Sequence, residues 1–108
     1  MKFIKHLAVV ALSLLFCFSA FADKLKVGFV YIGPVGDHGW TYMHEQGRLA
    51  VKKEFGDKVE TTFVENVKYG PQAETVIRAM AKNGMDIIFA TSFGYMEPML
   101  KVAKEFPN

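Results

Sequence analysis

Three short stretches of this chain gather most of the side chains that could do chemistry. Gly33-Pro34-Val35-Gly36-Asp37-His38-Gly39 runs into Trp40, the sole tryptophan; Asn66 to Gly70 holds Asn66 and Tyr69; Thr91-Ser92-Phe93-Gly94 leads into Tyr95. A carboxylate, hydroxyls and several aromatic rings suit hydrogen bonding and ring stacking. They suit catalysis poorly. His38 and His44 stand six residues apart, a spacing that does not put them on one helical face, and no paired acidic ligands lie nearby, so no metal is expected. Ser92 lacks the flanking glycines of a hydrolase nucleophile elbow. Gly33-x-x-Gly36-x-x-Gly39 is not the dinucleotide fingerprint, whose first two glycines are two apart, and no Lys-Ser/Thr pair follows it as in a phosphate-binding P-loop. No catalytic residue and no cofactor is therefore assigned. For Trp40, stacking on a flat ligand and packing the top of a core remain equal readings, and Phe93 faces the same choice. For Asp37 the residues alone favour a turn or capping role.

The elements around these stretches explain why they would meet. Leu25 to Ile32 is β-rich and mostly apolar, and reads as a buried strand. A helix from about Trp40 to Phe55 follows, with Met43, Gly47, Ala50 and Val51 as its apolar face, Glu45, Arg48, Lys52 and Lys53 largely elsewhere, and Gly56 ending it. The lysines and glutamates of the helices are expected to form a solvated face. Val59 to Glu65 reads as a second strand. A helix opens at Pro71, presents Ala73, Val76, Ile77 and Met80 on one face, and ends before Gly84. Met85 to Ala90 is a third strand, apolar enough to be central. Tyr95 to Glu105 closes the pattern as a helix with Pro98 in its first turn. The order β-α-β-α-β-α predicts an α/β fold, a parallel sheet with helices on both faces. Ligands of such sheets bind beyond the carboxyl ends of the strands, where all three stretches fall.

The N-terminus carries a different message. Lys2 and Lys5 precede an apolar run from Leu7 to Phe18, then Ala20-Phe21-Ala22 and Asp23. A basic start, a short apolar core and a small-x-small end make a Sec signal peptide, residues 1–22, cleaved after Ala22. The core would reach only ~18 Å as a helix, short of a ~30 Å hydrocarbon slab, so no stable membrane insertion of the mature chain is expected. A lipoprotein signal would place a small residue before Cys17, where Phe16 stands. Loss of the signal removes two lysines, leaving 11 basic residues against 11 acidic ones and no cysteine. Nothing in that balance calls for nucleic acid, and disulfides are excluded. Residues 23–108 can form one small domain with a modest core. The sequence ends after a helix, where a further strand is expected, so a truncated product is among the readings.

Lys26-Val27-Gly28-Phe29-Val30-Tyr31, Gly33-Pro34-Val35-Gly36-Asp37-His38-Gly39-Trp40 and Thr91-Ser92-Phe93-Gly94-Tyr95 together resemble the BMP family, the basic membrane protein or purine nucleoside receptor-like substrate-binding proteins of ABC transporters. The resemblance spans Asp23 to Asn108. It implies a class I periplasmic-binding-protein fold of two α/β lobes joined by a hinge, of which residues 23–108 would be an incomplete N-terminal lobe. It implies a nucleoside or purine-like small molecule held between the lobes, an ABC permease as partner and a periplasmic location. In the family an Asp-x-x-aromatic segment after the first strand meets the ligand, and Asp37-His38-Gly39-Trp40 occupies that place. The usual phenylalanine and following asparagine are here Trp40 and Thr41, so the ligand could differ. The stretch Thr91 to Gly94 corresponds to a Gly-Phe loop that lines the cleft. The ligand-binding residues carried over are Asp37, Trp40 and Phe93, with Asn66, Ser92 and Tyr95 behind them. A sugar or other small solute, and an exported enzyme on the same architecture, stand as alternatives.

Overall fold

The computed structural model describes residues 23–108; the expected signal peptide, with Cys17, lies outside the described residues. The described chain has three parallel strands, β1 (Leu25–Val30), β2 (Val59–Val64) and β3 (Ile87–Ala90), and three α-helices, α1 (Trp40–Phe55), α2 (Pro71–Lys82) and α3 (Met96–Glu105). Short 3-10 turns precede β2 at Gly56–Lys58 and α3 at Phe93–Tyr95. The expected α/β architecture is present.

The strand order is β2-β1-β3. Leu25 pairs with Val59 and Val30 with Val64 on one side; Val27 pairs with Ile87 and Val30 with Ala90 on the other. Among the described strands β1 therefore lies between the other two, and β3 pairs with β1 on one side. In β3, Phe89 stays 47% exposed, stacked on Phe29 with ring centroids 5.2 Å apart.

Alternation along β1 divides the core in two. Val27, Phe29 and Tyr31 face α1 and gather Phe63 and Val35. Val30 faces the other way, into a larger cluster with Val67, Ala73, Ile77, Met80, Tyr95 and Val102 from α2, α3 and their loops. Gly28 lies on this second face, and a Cβ there would stand 2.8 Å from the Met80 sulfur, so the glycine lets α2 approach the sheet closely.

The inward face of α1 overturns the sequence expectation. Thr41, Glu45 and Arg48 are its buried residues, while Met43 is 65% exposed. The positions 41, 45 and 48 keep helical spacing, but their polar types conceal it. Burial is tolerable because every group is answered. Arg48 donates from Nε and Nη2 to the two Glu45 oxygens and from Nη1 to Thr61 Oγ1 at 2.8 Å. Tyr31 donates its hydroxyl to Glu45 at 3.0 Å, and the guanidinium lies 4.7 Å over the Phe63 ring. Met43, Gly47 and Val51 instead border a shallow apolar groove shared with Phe29 and Phe89.

Candidate functional site

The carboxyl ends of the three strands open into three loops: residues 31–39, 65–70 and 91–92 with the following 3-10 turn. Backbone hydrogen bonds knit them together. Tyr31 N donates to Val64 O, Val67 N to Tyr31 O and Thr91 N to Val30 O. Side chains add further ties, Val35 N donating to Glu65 Oε2 at 2.7 Å and Gly33 N to Thr41 Oγ1 at 3.1 Å.

Asp37 organises the end of this surface where α1 begins. Its Oδ1 accepts from the backbone N–H of Gly39 at 2.8 Å and of Tyr42 at 2.9 Å, and its Oδ2 from Thr41 N at 3.1 Å. The first turn of a helix has N–H groups without intrahelical partners, and a carboxylate both satisfies them and complements the dipole. The Gly39 hydrogen bond foremost, followed by that from Tyr42, holds the Asp37 carboxyl below the usual carboxylate range. The capping role that the residue type favours is thus present.

Trp40 follows at the first position of α1 and is 60% exposed. It does not pack the top of the core. Its indole Nε1–H donates to Thr91 O at 2.7 Å, and His44 meets the ring edge-on with centroids 5.0 Å apart. The ring is fixed across the tip of β3 while most of its surface stays open. Phe93, at the start of the 3-10 turn after β3, is 85% exposed. Asn66 is exposed, with left-handed backbone at φ 57°. Ser92 Oγ lies 2.5 Å from the Tyr69 hydroxyl.

Five of the six expected residues, Asp37, Trp40, Asn66, Ser92 and Phe93, thus lie on loops or helix starts at one end of the sheet. Tyr95 does not join them. It is fully buried in the core and donates its hydroxyl to Val67 O at 2.6 Å. Burial pushes its phenol up to about 12. Its position one residue past a glycine resembles a loop, but its ring points into the cluster formed by α2 and α3. Tyr69, left out of the expected set, is half exposed on the second loop. An aromatic residue just before Gly70-Pro71, at the ligand end of a strand, was the available signal. Among the described residues no group of three potential metal ligands occurs.

Solved solute-binding proteins share this parallel α/β arrangement. The structure matches an ABC transporter solute-binding protein from Conexibacter woesei with a TM-score of 0.70 at 28% identity, over 77% of this chain and 27% of that one. A second such protein, from Aeropyrum pernix K1, matches with a TM-score of 0.67 at 27% identity, over 77% of this chain and 22% of that one. The family model of PnrA-like ABC transporter substrate-binding proteins, Bmp, matches residues 24–108, and the chain belongs to that family. In sequence it is 59% identical over 86 residues to a purine-binding protein of Brucella abortus, covering 80% of this chain and 25% of that protein. It is 37% identical over 86 residues to a Haloferax volcanii protein named as an ABC transporter glucose-binding protein, covering 80% of this chain and 22% of the other. The chain thus spans about a quarter of the length of these curated relatives.

Proposed function

We propose that these residues form part of the N-terminal lobe of an ABC transporter's substrate-binding component, which captures a nucleoside or purine-like molecule in an inter-lobe cleft and delivers it to a permease. The observation that carries this reading is Trp40, open to solvent yet fixed by its indole N–H on Thr91 O. A ring held in one orientation before the ligand arrives loses little further freedom when a flat base stacks on it. Stacking of this kind is worth roughly 1–3 kcal/mol per base. Phe93 would add a second apolar surface and Ser92 and Asn66 polar contacts. Asp37 would act chiefly by holding the Trp40 turn, since both its oxygens already accept backbone N–H groups. No bond is made or broken in this function. The purine-binding name of the Brucella relative favours the same ligand class.

In this reading the chain is exported to the periplasm and its first 22 residues are the cleaved signal. N-terminal sequencing of the secreted protein should begin at Asp23; a lipid-modified Cys17 at that end would refute the assignment. A sugar is the second reading, favoured by the glucose-binding name of the Haloferax relative and by the capacity of Trp40 to stack on a pyranose face. Mass spectrometry of small molecules that co-purify with the complete polypeptide decides between them. A purine or nucleoside supports the first reading, and a sugar the second.

A further inference from the structure

Tyr69 is half exposed, yet it is held at three points. Its hydroxyl bonds Ser92 Oγ at 2.5 Å. Its ring lies across Gly94, where a Cβ would collide with it. Its edge meets Tyr95 at 5.4 Å with the planes 78° apart. Fixing an exposed side chain costs rotamer freedom. Tyr69 belongs to neither core cluster, and Tyr95 beneath it satisfies its own hydroxyl on Val67 O. The arrangement instead leaves a pair of hydroxyls at the ligand end of the sheet. One hydrogen is used within the pair; the other hydrogen and the remaining lone pairs are free to serve as donor and acceptor side by side. Ser92 directly follows Thr91, whose carbonyl anchors Trp40, so the hydroxyl pair and the open indole are joined through consecutive residues.

We propose that Tyr69 is a specificity-determining residue of this site, its phenol and the Ser92 hydroxyl together reading an exocyclic amine or carbonyl, beside a ring nitrogen, of a heterocycle stacked on Trp40. This rests on the purine reading above and narrows it to bases that carry such a substituent. A site built to hydrogen-bond a ligand group rejects an analogue lacking it, because its polar atoms are then left without a partner. The test is calorimetry on the complete polypeptide and its Tyr69→Phe and Ser92→Ala variants, each titrated with adenine, hypoxanthine, unsubstituted purine and glucose. Tyr69→Phe keeps the ring over Gly94 and removes only the oxygen. It should weaken adenine and hypoxanthine by about tenfold and unsubstituted purine by less than about twofold. Ser92→Ala should show the same selectivity, and the double variant should lose little more than either alone, since the hydroxyls act as a unit. Thermal midpoints should stay near that of the wild type. Unchanged affinities in both variants, or an equal loss for all three bases, would overturn the role of Tyr69 while leaving the purine reading standing. Wild-type protein that takes glucose and none of the bases overturns both.

Discussion

Arg48→Met should destabilise the protein far more than a surface substitution would, and the loss should depend on pH. Arg48 and Glu45 are both buried on the inner face of α1. The substitution keeps the aliphatic stem but removes two hydrogen bonds to Glu45, one to Thr61 and the contact with the Phe63 ring. Glu45 would retain only the Tyr31 hydroxyl. Removing one partner of a buried ion pair costs about 3–5 kcal/mol, mostly from the stranded charge. At least the lower figure, about 3 kcal/mol, is expected here. With a urea dependence of about 1–3 kcal/mol per molar, the unfolding midpoint should fall by about 1–3 M. Replacing both partners, in Glu45→Leu/Arg48→Met, should recover most of the loss, because no charge is left unanswered.

The pH dependence follows from the same contacts. The Arg48 hydrogen bond foremost, then that of Tyr31, and the nearby Lys52 charge hold the Glu45 carboxyl below its usual range. A carboxyl depressed by folding adds stability that is present above its unfolded value and lost as pH falls through its folded one. In Arg48→Met the guanidinium is gone and burial acts against the charge, so protonation should relieve the variant. Its deficit relative to wild type should be largest at pH 7 and shrink towards pH 4. Urea unfolding followed by circular dichroism at the two pH values measures both effects. A deficit below about 0.5 kcal/mol at pH 7, in the range of an ordinary surface change, would refute the reasoning. So would a deficit of equal size at both pH values.

Two further outcomes are expected. Tyr95→Phe should cost about 1–2 kcal/mol in urea unfolding, because it strips the buried Val67 carbonyl of the hydroxyl that it accepts. Ligand affinity measured on folded Tyr95→Phe should change by less than about threefold if Tyr95 serves the core rather than the site. Asp37→Ala should accelerate amide hydrogen exchange at Gly39, Thr41 and Tyr42, the three donors to its carboxylate, while exchange in β1 stays as in the wild type.

Local rules made the element pattern legible. Gly39 and Gly56 bracket α1, Pro71 opens α2, and the run from Leu25 marks β1 with its last two residues turning out of the strand. Alternation could not show which strands pair with which, since that depends on contacts between distant segments. The inner face of α1 was hidden for another reason. Glu45 and Arg48 satisfy each other, Tyr31 and Thr61, and Thr41 accepts from Gly33 N, so the core there is built on hydrogen bonds that hydropathy does not register. At the candidate site the loops were legible because parallel topology sends all three to one end of the sheet. Which way a loop side chain turns was not. Tyr95 and Phe93 sit two residues apart in one 3-10 turn, yet one is buried and the other is the most open aromatic there. Tyr69 was legible as a loop aromatic, but its pairing with Ser92 was not, since that partner is 23 residues away.

The central claim is that a flat ligand stacks on Trp40. Titration calorimetry of adenine against the wild-type polypeptide and its Trp40→Ala variant tests it most directly. Loss of a stacking surface worth roughly 1–3 kcal/mol should weaken binding by about 5- to 150-fold. The thermal midpoint should fall little, because Trp40 is largely exposed and stands outside both core clusters. Adenine bound by Trp40→Ala within twofold of the wild-type affinity would contradict the account.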